Sequence, residues 1–565
     1  MTDFEIDIYL STLESGNHSL QHENGVVWQK YSVIDGKVIG EYREYHSNGV
    51  LMKKGVYSDG KRHGQWLIYH DNEQLWKEVN YKNGKLDGYC VLYLTDKNKS
   101  IEGQFEDGLE TGNWKYWHDN ANRDRVGNYH KGKKNGKWTY YFDETDTKWY
   151  AVEFKGNRKN GRCTYWHKSE SEIIAHTGYF LDDKETGLWE YYNFEGFKYQ
   201  WGNYVKGEKD GEWVAYHHNK NIQGKGSYRK GKKHGDWTYW WDNENIELEG
   251  SYINGSKTGA WTYWNRDGEK SKQGNLVNGK EDGKWTKRYP SGNKESESNF
   301  KFGKLSGKYV QWYESGQKSR AGNYVDGKKS GKHITWYESN KLMTEEVYEN
   351  GRKSGEWIWY YESGNIWKKE KFENNKKHGS GVHYHPSTKK SFEFTFKDGK
   401  LNGKYKTYFD GGELDTVGNY KQGKKDGEVN TFHKNGTKRR NTFYQNDTIV
   451  SDTKWDDEEH LVYEVKYKDG KRNGTSVDWY TSGKIKTKRT FVNDKLDGEF
   501  CEYYVDGTPR GKGKMKGGKM DGKWTYWFHN GKKECELTCK DGEIIKGEVW
   551  GDNGDVKVAG KFDHV

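Results

Sequence analysis

A chain of 565 residues has the length of about three or four ordinary domains. Its composition excludes thick globular cores, because charged residues make up 32% of it and the apolar set only 31%, half of that aromatic. The net charge of +10, carried without a basic tail or a long run of one sign, leaves no footprint for a nucleic-acid partner.

Such polarity approaches that of disordered chains. What argues for order is the supply of 27 Trp, 44 Tyr and 20 Phe and their regular spacing. Aromatic side chains bury large areas and suit a twisted sheet, so a thin, extended all-β structure is expected.

In chain order, the first segment is MTDFEIDIYL, which is acidic and lacks the apolar stretch of a signal peptide. Phe4, Ile6, Ile8 and Leu10 alternate as in a capping strand, and residues 1–30 are expected to close the N-terminal end. No stretch approaches the roughly 18 apolar residues of a membrane span. The expected location is intracellular and cytoplasmic, with export lacking a cleavable leader as the alternative.

A repeat then takes over. Gly226–Glu249 reads GSYRKGKKHGDWTYWWDNENIELE, and the next 24 residues read GSYINGSKTGAWTYWNRDGEKSKQ. An anchor glycine marks each copy, at Gly40, Gly64, Gly88, Gly112, Gly136, Gly161, Gly187, Gly211, Gly235, Gly259, Gly283, Gly307, Gly331, Gly355, Gly379, Gly403 and Gly427, and again at Gly474, Gly498 and Gly522. Two residues after the anchor Trp is commonest: Trp66, Trp114, Trp138, Trp189, Trp213, Trp237, Trp261, Trp285, Trp357 and Trp524. Five after it stands an aromatic in every glycine-anchored copy but that of Arg288, as in Tyr69, Trp240, Trp264, Trp312, Trp336 and Trp527. Seven before it stands another, as in Tyr57, Tyr81, Phe105 and Tyr129.

Each copy reads as two short strands, one the aromatic run after the anchor and one ahead of the preceding glycine. Pairs such as Asn254-Gly255 and Asp326-Gly327 supply the positive φ of tight hairpin turns. The expected fold is therefore an elongated solenoid of about 21 stacked antiparallel hairpins. Rows two and five after the anchor differ by an odd number, so either both faces of the sheet are aromatic or a bulge realigns them.

The copies divide into residues 31–429, a degenerate copy at 430–459 with Ser451 in the anchor's place, three copies at 460–541, and a partial copy with a C-terminal cap at 542–565. The degenerate copy is read as drift or an inserted loop, with a hinge or partner-specific site as the alternative.

The pattern G-x-Y-x-x-G-K-x-x-G, seen from Gly226 to Gly235, resembles the MORN repeat (membrane occupation and recognition nexus) over roughly residues 31–550. The usual unit has Gly two after the anchor; here Trp mostly stands there, and Gly381 returns to the usual form. The Trp form is similar to the MORN-variant repeat of bacterial proteins described as antitoxins. The resemblance implies stacked hairpins forming a rod or shallow groove, used for protein contacts, self-association and phospholipid contact, and it admits toxin neutralisation as a further role.

The residue after the first glycine of each copy is basic in seventeen of twenty-one copies. Lys37, Lys61, Lys85, Lys133, Lys232, Lys280, Lys304, Lys328, Arg352, Lys376, Lys400, Lys424, Lys471, Lys495 and Lys519 form a candidate edge for an anionic partner, with cations about 10 Å apart. The plainer reading is that turn lysines serve solubility and deter edge pairing, with Asp87, Asp210, Asp282, Asp426, Asp497 and Asp521 diluting the field. The aromatic rows are read as core.

Catalysis has little to stand on. His378, His383 and His385 lie close in HGSGVHYHP, but no further ligand has useful spacing, and HG is a turn spelling here, as at His63 and His234. Five cysteines, Cys90, Cys163, Cys501, Cys535 and Cys539, are too scattered for a disulfide framework or a zinc site. The expectation is a non-enzymatic scaffold without cofactor or metal. Its partners are expected to be proteins, a second copy of itself included, with an acidic phospholipid surface as the alternative.

Overall fold

The computed structural model describes residues 14–561; the strand expected at Phe4–Leu10 lies outside the described residues. The chain divides into two compact units, Met1–Lys280 and Glu281–Val565. Among the described residues strands and turns alternate without a helix, so none is long and apolar enough to cross a membrane. In the first unit strands run from Gly16–Gln21 to Lys270–Val277, and in the second from Lys280–Arg288 to Val556–Lys561. Inside each unit a strand pairs antiparallel with the one before it and the one after it. The all-β stack of hairpins read from the sequence is what forms.

One copy consists of a long strand such as Lys61–Tyr69 and a short strand such as Leu75–Lys82. Two-residue turns lead from short to long strand, with φ of 51° and 84° at Asn83 and Gly84, 50° and 86° at Asn254 and Gly255, and 49° and 81° at Asp326 and Gly327. Both residues left-handed is the turn whose twist suits a hairpin. Five-residue connections lead back, closed at His46–Val50 by the His46 N–H donating to Val50 O and the Gly49 N–H donating to His46 O. The extra residues before Gly161 and Gly187 fall in this connection, at Phe142–Thr147 and His167–Ile173. The strand Val27–Ile34 runs across the boundary read at residue 30, and the tail ends in the strand Val556–Lys561.

The anchor glycine sits inside the long strand rather than ahead of it, because the strand begins three residues earlier. Gly127 pairs with Trp138 while Asn128 pairs with Asn135, which leaves Gly136 and Lys137 as a bulge. Every anchor glycine has positive φ, from 63° at Gly355 to 121° at Gly161, a conformation that costs other residues dearly. Where Ser451 takes its place the bulge shrinks, with Phe443 opposite Ser451 and Tyr444 opposite Ile449. No left-handed residue is then needed, and the degenerate copy keeps its hairpin.

The bulge explains the tryptophan. It frees a carbonyl on the short strand, and the indole N–H fills the vacancy: Trp138 donates to Asn128 O at 3.0 Å, Trp213 to Asn203 O at 3.0 Å and Trp237 to Ser227 O at 2.9 Å. His333, standing in the Trp row, donates in the same way to Asn323 O at 2.8 Å. Beneath most of these indoles lies a glycine of the short strand; a Cβ added to Gly55, Gly103, Gly127, Gly202 or Gly226 would enter the ring of Trp66, Trp114, Trp138, Trp213 or Trp237. The aromatic seven before the anchor closes the side edge-on, with Tyr129 at 4.9 Å and 85° from Trp138 and Tyr252 at 5.1 Å and 88° from Trp261.

The long strand alternates regularly beyond the anchor, so rows two and five face opposite sides. All ten tryptophans of row two are buried. Tyr69, Trp240, Trp264, Trp312, Trp336 and Trp527 are half-buried on the other face, where lysines cover several of them, as Lys294 covers Trp312 at 5.7 Å. That second face also holds apolar residues three after the anchor, Val91 and Val214 among them, and is crossed by pairs such as Lys225–Glu212 at 2.7 Å and Lys332–Glu345 at 2.7 Å.

Where the Trp row changes, its partner changes with it. Cys90 pairs with Val79 and Cys163 with Val152, so a smaller ring-row residue sits over a larger one below. Burial pushes these two thiols up to about 11 and about 12. Gly226→Val alone should destabilise its hairpin by about 3 kcal/mol through overpacking, and Trp237→Cys by about 3–5 kcal/mol through the cavity it leaves. The double variant, which copies Val79 and Cys90, should cost less than the sum by about 1–3 kcal/mol. Hydrogen exchange of the amides in Ile222–Arg229 and Lys232–Trp240 reads this, and additive losses would refute the pairing.

Candidate functional site

The fifteen cations of the candidate edge are all exposed, and each opens its strand beside a two-residue turn. Their stems have a structural task. Lys37 lies against Gly60 of the next turn, Lys61 against Gly84, Lys328 against Gly351 and Lys519 against Gly542. Lys37 also pairs with Asp59, and Lys85 with Asp107 at 3.4 Å. The acidic residues just before the anchor are engaged as well: Asp210 accepts the Lys230 N–H at 3.1 Å, Asp282 the Phe302 N–H at 3.0 Å and Asp497 the Gly517 N–H at 3.0 Å. They tie one turn to the next.

A second cationic row escapes the sequence reading. In Lys232-Lys233 the first side chain is exposed, while the second lies half-buried over Trp237 at 4.4 Å. Lys209 over Trp213 at 3.8 Å, Lys257 over Trp261 at 4.1 Å and Lys353 over Trp357 at 4.3 Å repeat the contact. Such contacts are worth about 0.5–2 kcal/mol. Burial holds Lys134, Lys209, Lys233 and Lys257 below the ordinary lysine range. The signal was present as a pair of basic residues after several turns, as in Lys232-Lys233 and Arg352-Lys353, but only the bulge decides which member faces the rings.

The five-residue connections carry a further row, His or Tyr just after the row-five aromatic. His46 donates to Tyr69 O at 3.1 Å, His217 to Trp240 O at 2.8 Å, Tyr313 to Trp336 O at 2.8 Å and Tyr504 to Trp527 O at 2.9 Å. Histidine and tyrosine interchange because each sets a donor at the same reach.

The short strand has one extra residue beside this connection: Tyr69 pairs with Leu75 and Ile68 with Lys77, which leaves Trp76 over. Trp76, Trp149, Tyr199 and Trp367 share that place and are 44%, 47%, 41% and 42% exposed. Phe194 in a neighbouring connection reaches 68%.

The three histidines of HGSGVHYHP turn to different partners. His378 faces Glu373 at 3.6 Å, His385 donates to Tyr408 O at 3.0 Å, and His383 meets Glu370 at 2.9 Å. Glu370 stands where copies with a tryptophan mostly keep glycine, and Gly381 faces Phe394 where the Trp would be. Its carboxylate is buried and also receives Lys377 at 2.9 Å. Burial alone would raise its pKa; the hydrogen bonds from His383 and Lys377 outweigh that and bring it down to about 2. The degenerate copy has a similar polar core. Asp452, buried, accepts Arg440 at 2.6 Å, Thr442 at 2.9 Å and Tyr463 at 2.7 Å, and these bonds outweigh its burial and hold it below the usual carboxylate range.

The sequence profile described as the MORN repeat variant matches this chain in seven places, residues 39–59, 62–83, 209–230, 233–254, 281–302, 353–374 and 472–493. No curated protein matches the sequence. Among solved structures, the chain is similar to one titled "Crystal Structure of TcdB2-TccC3-Cdc42" at 9% identity, covering 96% of this chain and 32% of that one, with a TM-score of 0.13. The Photorhabdus luminescens Tc holotoxin pore carrying the TccC3-D651A mutation gives 10% identity, 94% and 35% coverage, and a TM-score of 0.13. This chain thus spans about a third of those chains, and a likeness at that TM-score carries no argument.

Because the Glu370 carboxyl is held down in the fold, its contribution is complete above the ordinary glutamate range near about 4.3 and is lost as pH falls toward about 2. Glu370→Gln should lower the local stability of Ile366–Glu373 at neutral pH by about 1.5–3 kcal/mol. Hydrogen exchange across pH tests this: the wild-type segment should lose protection below the glutamate range, and the variant should lack that component.

Proposed function

We propose that this chain is a non-catalytic scaffold that binds proteins, copies of itself included, along its repeated surfaces. The observation that carries the reading is that Trp76, Trp149 and Tyr199 in the first unit and Trp367 in the second stand exposed at the same place beside the five-residue connections. Large rings left in water are costly to keep, and Trp and Tyr anchors dominate protein interfaces. The matches to the MORN repeat variant support the same class, since MORN repeats serve as interaction scaffolds for proteins and membranes. The hydrogen-bonding groups near the histidines are engaged with the fold itself, which leaves little for a reaction.

The alternative is an adaptor to an anionic membrane surface. It is favoured by the fifteen exposed cations of the turn edge, each worth about 1 kcal/mol near an acidic leaflet. The stems packed on turn glycines and the pairs to Asp59 and Asp107 give that row a second explanation.

The full chain and a variant carrying Trp76→Ser, Trp149→Ser and Trp367→Ser separate the two. The scaffold reading expects partner proteins, or a concentration-dependent mass by light scattering, to be lost in the variant while the fold persists. Unchanged partners and mass would sink it. Co-sedimentation with acidic vesicles, weakened by rising salt and indifferent to the three tryptophans, would favour the membrane instead.

A further inference from the structure

On the buried face of the first unit, the strands from Lys133–Tyr141 to Lys184–Tyr192 each add one ring to a stacked row beside the Trp row. Tyr140, Tyr150, Tyr165 and His176 follow one another at centroid distances of 4.3, 5.1 and 4.2 Å with interplanar angles of 9°, 22° and 23°. Tyr191 continues the row at 5.6 Å, and cross-strand pairing carries it on through Gln200, Ala215 and Gly224 to Tyr239, then Leu248 and Tyr263. From Gln200 through Ala215 to Gly224 no ring stands in the row, and the Tyr239 ring lies over Gly224. A cavity of about 310 Å³ opens there, floored by Trp213 and Trp237, walled by Tyr228 and Tyr239, with Gln200, Gln223 and Glu247 at its rim.

Three cations lie on the same face. Lys209, Lys233 and Lys257 lie half-buried on this face in three successive copies, and none forms an ion pair among the described residues. Two other members of the row do have a carboxylate: Lys329 has Glu346 at 3.4 Å and Lys377 has Glu370 at 2.9 Å. Cations two strands apart are spaced by about 10 Å, the span of about three residues of extended peptide.

We infer that the gap at Ala215 and Gly224 receives the ring of a tyrosine or tryptophan from an acidic segment of a partner protein. The ring completes the row, its O–H or N–H donates to Glu247 or a glutamine at the rim, and flanking carboxylates meet Lys209, Lys233 and Lys257. A strand of nucleic acid would also bring rings and negative charge. It is disfavoured because the site is a single cavity rather than a run of platforms, and because a carboxylate, Glu247, lines it. The inference deepens the scaffold reading and rests on it.

The probes are a short labelled peptide with one tyrosine among glutamates, the same peptide with alanine for the tyrosine, and a single-stranded oligothymidylate. Fluorescence polarisation follows each on the full chain. The tyrosine peptide should bind, and should weaken about tenfold or more when its ring is removed. Ala215→Tyr copies Tyr191 and Tyr239 in the adjacent long strands, so it should leave thermal unfolding unchanged and abolish binding; Lys233→Gln should weaken binding and flatten its salt dependence. Equal binding of the alanine peptide, binding unaffected by Ala215→Tyr, no peptide binding, or binding of the oligothymidylate alone would each overturn the inference. Partner proteins that still co-purify with the Ala215→Tyr variant would leave the scaffold reading standing while the gap's role falls.

Discussion

An indole lying on a glycine across a strand pair is the contact from which the rest of this structure follows. Trp138 over Gly127 is typical: the glycine has no side chain to hold the ring off, and the bulge at Gly136 turns a free carbonyl toward the indole N–H. No second layer covers the tryptophan face of the sheet, so each ring must be covered by its own neighbours. Tyr129 closes one side edge-on and Lys134 lies over the face at 4.5 Å. This is how a chain with only 31% apolar residues buries tryptophan almost completely.

The same contact sets the rules for variation. A core row that runs from strand to strand couples each residue to the one across from it, so changes come in matched sets. Val79 with Cys90 exchanges volume across the pair. His333 keeps the donor and gives up part of the ring. Glu370 with His383 and Lys377, and Asp452 with Arg440, Thr442 and Tyr463, replace packing by closed polar networks. A half-satisfied network in such a place would cost more than an apolar core, and both networks are satisfied.

Period, turn type and the identity of the buried row were legible in the sequence, because each rests on a property that one residue type supplies alone. Asn254-Gly255 announces its turn through positive φ, and a Trp recurring every 24 residues announces a core. Facing was not legible. Strand alternation is broken at the anchor glycine and again at Trp76, and either slip moves a residue between faces. Lys232 and Lys233 look alike in sequence, yet one extends into solvent and the other covers Trp237. For the same reason the edge lysines attracted notice while the row over the rings did not.

Repetition also bears on how such a surface acquires an address. Identical copies offer a partner the same contact at every period, which gives avidity without choosing a register. Register must come from a copy that differs and whose difference is not absorbed internally. Most departures here are absorbed: cysteine is matched by valine, histidine by its carbonyl, buried carboxylates by cations. Ala215 and Gly224 are different in kind. A cavity stays open beside them although Tyr239 lies over Gly224, and the cations nearby lack the carboxylates that Lys329 and Lys377 have. A vacancy with unpaired charge beside it is what a recognition element supplied by another molecule would complete, and in a structure of near-equal copies it marks one register among many.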